Sequence, residues 1–227
     1  LAFNFFCSNL FVMSMPKGKK TIAVFDFDGT ITTKDTLLYF ILFTRGYWAF
    51  MMGFLLYSPL LIAFKLRLYP NWKVKQALFS YFFGGMNYKE FQRLGEIFAD
   101  EVKKIECDST VDKLKEHLKN GDKVYVISAS IDDWVRPFCC SHLGVTATIG
   151  TKVEVDLDGK LTGRFLTKNC YGPEKVNRLL EIEPDRKNYF LYAYGDSRGD
   201  KEMLEFADRG ITVSYTHLRA HETVLDL

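Results

Sequence analysis

The stretch that decides the fold reads TIAVFDFDGT and occupies residues 21–30. Its first half, residues 21–25, is short, apolar and rich in residues that favour strands. Its second half, residues 26–30, is polar and contains a glycine. Such a run predicts a buried strand that ends in a loop. Two further runs, residues 123–127 and 189–194, repeat this pattern, because each is apolar and each is followed by small polar residues.

Helical spacing of apolar residues between these runs predicts helices over residues 111–119, 174–183 and 201–207. A fourth strand is predicted to begin at residues 211–213. Apolar strands that alternate with helices indicate βαβ units and a parallel sheet with both faces covered. The predicted fold class is therefore α/β, a Rossmann-like doubly wound parallel sheet. Residues 151–165, with Asp158-Gly159 at their middle, predict an added β-hairpin.

Residues 36–105 interrupt the alternation. They are long, aromatic and helical in pattern, without a strand-like run bounded by turns. We interpret them as an inserted α-helical cap. The catalytic core would then be discontinuous and consist of residues 21–35 and 106–213.

The two ends of the chain are expected to lie outside this core. Residues 1–12 form an apolar run that precedes Met13 and Met15, so residues 1–20 are expected to be a non-native or disordered extension. Residues 213–223 resemble one reading frame of a sequencing adapter, so residues 214–227 are expected to be an artefact of the library.

Composition excludes several classes of partner and site. The net charge is +2, with no long basic run, so no nucleic-acid partner is predicted. The five cysteines are odd in number and form no CxxC pair, so we expect no disulfide framework and a cytoplasmic location. The oligomeric state stays open.

Polar side chains follow three of the predicted strands. Asp26 and Asp28 come after the first, Ser128 after the second, and Asp196 and Asp200 after the third. In open parallel sheets ligands bind beyond the carboxyl ends of the strands, so these groups are expected to meet. Carboxylates are ligands for Mg²⁺, which offsets the charge of a phosphate. Two carboxylates two residues apart can divide the work of attack and proton transfer, which suits phosphoryl transfer.

At these motifs the chain resembles the haloacid dehalogenase superfamily, in subfamily IB, the branch that includes phosphoserine phosphatase. Residues 26–30 (DFDGT) match the DxDxT nucleophile motif, and residues 195–200 (GDSRGD) match the fourth motif. Ser128 matches the second motif and Lys175 the third. Lys168 lies close to Lys175, but the Gly-Pro-Glu before Lys175 resembles the turn that leads into the family's helix.

The resemblance implies a role for each matched position. Asp26 would be the nucleophile and a Mg²⁺ ligand, and Asp28 the general acid/base, with its backbone carbonyl on the metal. Asp196 would bind Mg²⁺, and Asp200 would lie beside or just behind the ligands. The phosphate would be bound by Thr30, Ser128, Ala129 and Lys175, of which Lys175 would also restrain Asp26. Gly29 would let the chain turn sharply beside the site.

The implied activity is that of a Mg²⁺-dependent phosphomonoesterase that forms an aspartyl-phosphate on a small or lipid-like phosphate ester. Two alternatives remain open: a phosphotransferase to an alcohol acceptor, and a non-hydrolytic phospho-receiver or binding domain. Asp28 favours a hydrolase, because receiver domains lack an Asp two residues after the acceptor.

Residues 46–64 of the predicted cap contain no charged residue and approach the length of a membrane span. We weigh two interpretations. The segment forms two short helices that break near Ser58-Pro59 and pack on each other, or it makes peripheral contact with a membrane. Asp35 and Thr36 either contact the substrate or begin the first helix of the cap.

Overall fold

A sheet of five parallel strands lies at the centre of the structure, a computed structural model that describes residues 20–66 and 68–213. The strands in chain order, including two of a separate hairpin, are β1 (Lys20–Phe25), β2 (Lys123–Ile131), β3 (Ala147–Thr151), β4 (Val153–Val155), β5 (Leu161–Phe165), β6 (Tyr189–Gly195) and β7 (Arg209–Thr212). The order across the sheet is β3-β2-β1-β6-β7, and all neighbours are parallel. The predicted α/β class is confirmed.

Helices connect these strands. In the described ranges the α-helices are α1 (Thr36–Lys65), α2 (Asn71–Phe83), α3 (Tyr88–Val102), α4 (Asp108–Lys119), α5 (Asp132–Arg136), α6 (Pro173–Ile182) and α7 (Lys201–Phe206). A π-helical segment, Pro137–Leu143, continues α5. The sequence analysis predicted α4, α6 and α7 but not β3 or α5. It also ended β2 at Ile127, whereas the strand runs on to Ile131 past an irregularity in its register.

Successive residues of β1 face opposite sides of the sheet. Ile22 and Val24 belong to one buried cluster, and Ala23 and Phe25 belong to the other. Side chains alternate along a strand, so a central strand that is apolar throughout is covered on both faces. This is the doubly wound arrangement predicted from the sequence.

The predicted hairpin is confirmed, because β4 and β5 pair antiparallel around Gly159. The hairpin packs on the helical region. Gly85 and Leu161 are joined by a backbone hydrogen bond of 2.7 Å, and Leu161 donates in turn to the carbonyl of Met86 at 2.9 Å. The hairpin therefore braces the turn between α2 and α3.

The helices α1 to α3 and a 3₁₀ turn (Lys103–Ile105) lie within residues 36–105, the range of the predicted cap. An aromatic cluster joins them to the rest of the chain. Phe40 of α1 stacks on Trp134 of α5 with ring centroids 4.5 Å apart, and it also contacts Phe83 and Phe91. The division of the chain into core and cap stays a prediction, since both share one buried cluster.

The predicted break near Ser58-Pro59 is wrong. The helix runs through Pro59 and is interrupted instead at Gly46, where φ is +77°. Proline cannot bond the carbonyl four residues before it. Here Ser58 Oγ donates to that carbonyl, of Leu55, at 2.8 Å, and this replaces the missing backbone bond. Gly46 breaks the helix because glycine adopts a positive φ at low steric cost.

The expectations for the two ends fall mostly outside the described residues. Lys20 begins β1, so the predicted N-terminal extension of residues 1–20 overlaps the first strand by one residue. Residues 1–19 and 214–227 lie outside the described ranges.

Replacement of Phe40 by alanine is predicted to lower the free energy of unfolding by about 3–5 kcal/mol, because it empties a fully buried site. Urea denaturation measures this loss. Phe43→Ala is the matched control, since Phe43 lies on the same helix but is 36% exposed. Equal losses in the two variants would contradict the assignment of Phe40 to the joint between helices and sheet.

Candidate active site

Asp26 lies at the point where the strand order of the sheet reverses. It follows β1, whose neighbours β2 and β6 lie on opposite sides and are reached by separate crossovers. Its backbone N–H donates to the carbonyl of Tyr194 in β6 at 2.9 Å. Such a switch point leaves a crevice beyond the strand ends, where ligands of α/β proteins bind.

Three carboxylates converge at this point. One oxygen from each of Asp26, Asp196 and Asp200 lies within 4.8 Å of the others. The ammonium group of Lys175, on α6, is 2.6 Å from Asp26 Oδ1 and also bonds Asp200 Oδ1. Lys175 is buried, whereas Lys168 is exposed. The geometry thus favours Lys175 as the cation of the site.

Burial and the neighbouring charges shift the pKa values of Asp26 and Lys175. Burial raises the pKa of the Asp26 carboxyl to about 7, with Lys175 acting in the opposite direction and Asp200 adding to the rise. Burial alone would lower the pKa of Lys175, but the carboxylates of Asp26 and Asp200 outweigh it and raise that pKa. Lys175 therefore stays charged and favours the ionised form of Asp26.

The acidic cluster fits a divalent cation. Three carboxyl groups lie around a single ammonium group, and hard oxygen donors suit Mg²⁺. The Oδ1 atom of Asp196 is buried and has no hydrogen-bond partner within the described part of the chain. Buried polar atoms are rarely left unsatisfied, so this oxygen is a natural ligand atom.

Asp200 is satisfied differently. It is fully buried, and its Oδ2 accepts from the backbone N–H groups of Asp196 and Ser197 and, at 2.7 Å, from Ser197 Oγ. With Lys175 on its other oxygen, Asp200 holds the loop and the lysine in place. This suits a position just behind the metal ligands.

Position 29 requires glycine because the side chain of Asp196 approaches its backbone closely. Its φ is +77°, and a Cβ built there would lie 2.3 Å from Asp196 Oδ2. Any larger residue would push Asp196 away from Asp26. The glycine of the DxDGT stretch thus sets the distance between the ends of β1 and β6.

Asp28 points to a second group of residues. Its Oδ1 accepts from the backbone N–H of Thr36 at 2.9 Å and from Thr36 Oγ1 at 2.6 Å, and its Oδ2 accepts from Ser130 Oγ. Trp134 Nε1 donates to Thr36 Oγ1 at 3.1 Å. Because the threonine oxygen accepts from the indole, its own proton is directed at Asp28.

Burial raises the pKa of Asp28, and the nearby charge of Asp35 adds to the rise, while Lys75 and the bonds from Ser130 and Thr36 act against it. A carboxyl with a raised pKa holds its proton more readily, which suits a general acid.

Ser130 and Trp134 were missed as site residues, and Thr36 was considered only as a substrate contact or as the start of a helix. Ser130 had a readable signal, because it lies two residues after Ser128 and so faces the same side of the strand. Asp35 caps α1, accepting from the N–H of Leu38 at 3.1 Å, so the helix-start interpretation of that residue is confirmed.

The remaining predicted residues lie along β2 and the first loop. Ser128 is buried within β2, and its Oγ accepts from the N–H of Ser130 at 2.9 Å. Thr30 is fully buried, and the carbonyl of Ala129 accepts from Thr151 Oγ1 at 2.9 Å. Their phosphate contacts stay predictions.

A cavity of about 430 Å³ opens between α3, α5 and β4. Tyr88 and Glu96 line it from α3, and Asp132 and Arg136 line it from α5. Asp132 lies two residues beyond Ser130 in the chain, but Asp28, Thr36, Ser130 and Trp134 are not among the residues that line the cavity.

Comparison with known proteins identifies the family to which this chain belongs. A model of the haloacid dehalogenase-like hydrolases matches residues 23–205. The chain belongs to this family. The predicted superfamily, and the prediction of a hydrolase, are confirmed, and the match spans every motif residue named above.

The chain is also similar to individual proteins, of which three are given. Protein CicA from Caulobacter vibrioides is 34% identical over 190 residues, which cover 82% of this chain and 83% of CicA. A histidinol-phosphatase from Neisseria meningitidis serogroup C is 30% identical over 110 residues, which cover 44% of this chain and 47% of the histidinol-phosphatase. The structure of a phospho-aspartyl intermediate analogue of phosphoserine phosphatase has a TM-score of 0.58, 21% identity and 86% coverage of both chains.

Mg²⁺ at about 100 times its Kd is predicted to raise the melting temperature by about 5–10 °C, because it binds only the folded chain. In Gly29→Ala this rise should disappear, since the added Cβ displaces Asp196. Differential scanning calorimetry with and without Mg²⁺ measures the effect.

Gly159→Ala is the control, because Gly159 has a similar φ of +74° but nothing within 4 Å of its added Cβ. Both variants share the backbone strain of about 1–2 kcal/mol, and only Gly29→Ala should lose the response to Mg²⁺. An unchanged response in Gly29→Ala would contradict the site.

Proposed function

We propose that the chain is a Mg²⁺-dependent phosphomonoesterase that acts through an aspartyl-phosphate on Asp26, with a small or lipid-like phosphate ester as substrate. The observation that carries this proposal is the buried pair of Asp26 and Lys175 at the end of β1, next to Asp196 and Asp200. Asp28 stands two residues later, ready for proton transfer.

In the first half of the reaction the Asp26 carboxylate attacks phosphorus. A new O–P bond forms on Asp26 while the bond from phosphorus to the ester oxygen breaks. Lys175 orients the attacking carboxylate and offsets the charge of the phosphate oxygens. Asp28, protonated, gives its proton to the departing ester oxygen, which leaves as an alcohol.

In the second half Asp28, now ionised, accepts a proton from water. The water oxygen attacks phosphorus, the bond to Asp26 breaks, and inorganic phosphate is released. Asp26 and Asp28 return to their starting states. Thr36 and Ser130 hold the Asp28 carboxyl in one orientation through both proton transfers.

Mg²⁺, when bound, supplies positive charge beside the phosphate and so favours attack by an anion. Asp26 and Asp196 would hold it, with the backbone carbonyl of Asp28. Asp200 would keep Asp196 and Lys175 in position. Ser128, Ala129 and Thr30 are assigned to the phosphate oxygens.

Three findings support the proposal. The family consists of hydrolases, one relative is a histidinol-phosphatase, and a similar fold carries a phospho-aspartyl intermediate analogue in phosphoserine phosphatase. We also propose a cytoplasmic location, since Cys139, Cys140 and Cys170 form no disulfide within the described residues.

Asp26→Asn is predicted to abolish Mg²⁺-dependent release of phosphate from an aryl phosphate, because an amide is a poor nucleophile. Asp28→Asn should lower kcat by about 10²–10⁴. Colorimetric phosphate assays measure both. Lys175→Ala should be inactive, whereas Lys168→Ala, at an exposed position, should match the parent. Full activity of Asp26→Asn would reject the mechanism.

Thr36→Val is predicted to lower kcat roughly tenfold or more, since a hydrogen bond to a charged group contributes about 1.5–3 kcal/mol. The backbone N–H of residue 36 still reaches Asp28, so KM should change little. Thr36→Ser keeps the hydroxyl and should restore kcat. A Thr36→Val enzyme with parental kcat would show that the hydroxyl does not position Asp28.

A further inference from the structure

We propose that the part of α1 beyond Gly46 is a docking surface for an anionic phospholipid bilayer, with the helix lying parallel to the membrane plane. This inference goes beyond the hydrolytic reaction and does not depend on it.

One face of this helix is apolar and open to solvent. Its residues recur at intervals of three or four positions, so they share one side of the helix. They are Tyr47, Trp48, Met51, Met52, Leu55 and Leu56. Trp48 is 81% exposed and Leu55 is 69% exposed. A helix on the surface of a soluble protein normally turns polar residues outward.

The opposite face is already covered by the protein. Gly53 is buried against the ring of Phe82 in α2, and the rings of Tyr57 and Tyr81 lie 5.4 Å apart. Only 6% of the most apolar 18-residue stretch of α1 is buried. A core helix of a soluble protein can have the same length and composition, but it would be mostly buried. The open face therefore lacks a partner within the described residues.

The helix is long and apolar enough to cross a membrane by length and composition. Its packing against α2 favours a different placement. Crossing the bilayer would carry α2, with Lys73, Lys75 and Gln76, into hydrocarbon, where charged side chains are costly. A helix that lies in the interface buries only its open face and leaves α2 on the protein side.

Charge identifies the occupant. From residue 36 to residue 89 the sequence has no Asp or Glu and six basic residues, although the whole chain carries only +2. These are Arg45, Lys65, Arg67, Lys73, Lys75 and Lys89. Arg45 donates to the carbonyl of Phe82 and the charge of Lys75 acts on Asp28, so the docking surface relies on exposed lysines such as Lys65 and Lys73. Lys73 lies over the rings of Tyr69 and Trp72 at 5.7 and 5.5 Å, an arrangement suited to the headgroup region.

Anionic lipids complement this excess of basic charge, and each Lys or Arg near such a surface contributes about 1 kcal/mol, or roughly fivefold in partition. In a dimer formed through this surface, the basic residues of one copy would lie next to the same basic residues of the other copy. These like charges make a self-paired dimer the weaker occupant. A bilayer supplies both the apolar phase and the negative charge that this surface needs.

Co-sedimentation with vesicles tests the proposal on the full chain. Vesicles of phosphatidylglycerol should bind the parent, and vesicles of phosphatidylcholine alone should bind it much less. Leu55→Ser/Leu56→Ser should lower the partition coefficient by about tenfold or more. The control Leu157→Ser/Leu166→Ser removes two exposed leucines from the hairpin region and should bind like the parent.

Charge is tested separately. Lys65→Gln/Lys73→Gln should lower binding to phosphatidylglycerol by roughly twentyfold or more at low salt. Lys119→Gln/Lys187→Gln changes two exposed lysines elsewhere and should have no effect.

Three results would overturn the proposal. The parent could fail to bind either vesicle, the Leu55/Leu56 variant could bind as well as the parent, or light scattering could show a dimer that this variant abolishes without any vesicle binding. Hydrolysis of a soluble aryl phosphate by the same variants reports on the reaction alone, so the two proposals fail independently.

Discussion

The ammonium of Lys175 lies between the carboxylates of Asp26 and Asp200, and all three groups are buried. A buried charge is tolerated only when it is paired, since transfer from water costs several kcal/mol per ion even after relaxation. The end of β1, the start of α6 and the loop after β6 must therefore stay in register. Asp196, whose Oδ1 has no partner in the described ranges, is the member of this group left for a metal ion.

Helix α1 contributes both to the active site and to the proposed membrane surface. At its start, Thr36 bonds Asp28 and fixes the orientation of the proton-transferring carboxyl. Beyond Gly46 it carries the apolar face assigned to the membrane. Ten residues of helix span about 15 Å, so the surface begins a short distance from the catalytic group. The positive φ of Gly46 separates the two parts and lets the second take its own direction.

Trp134 takes part both in the aromatic cluster and in the hydrogen bonds around Asp28. Its ring stacks on Phe40 in the aromatic cluster, and its indole N–H bonds the hydroxyl of Thr36. The residue thus binds the helical region to the sheet through apolar contact and orients the group that faces Asp28. A buried polar group that is fully bonded limits a site to one geometry, because any other leaves donors unpaired.

The sequence alone determined the features that local pattern encodes. Apolar runs followed by Asp26, Asp28, Ser128 and Asp196 predict strands whose polar ends share one edge, since parallel strands point the same way. Only tertiary structure decided which groups surround Asp28, because Thr36 lies 94 residues before Ser130 and 98 residues before Trp134 in the chain. It also decided that α1 passes through Pro59, where Ser58 replaces the lost hydrogen bond, and that one apolar face stays open. Composition cannot distinguish a buried helix from an exposed one, since burial depends on what the rest of the chain brings against it.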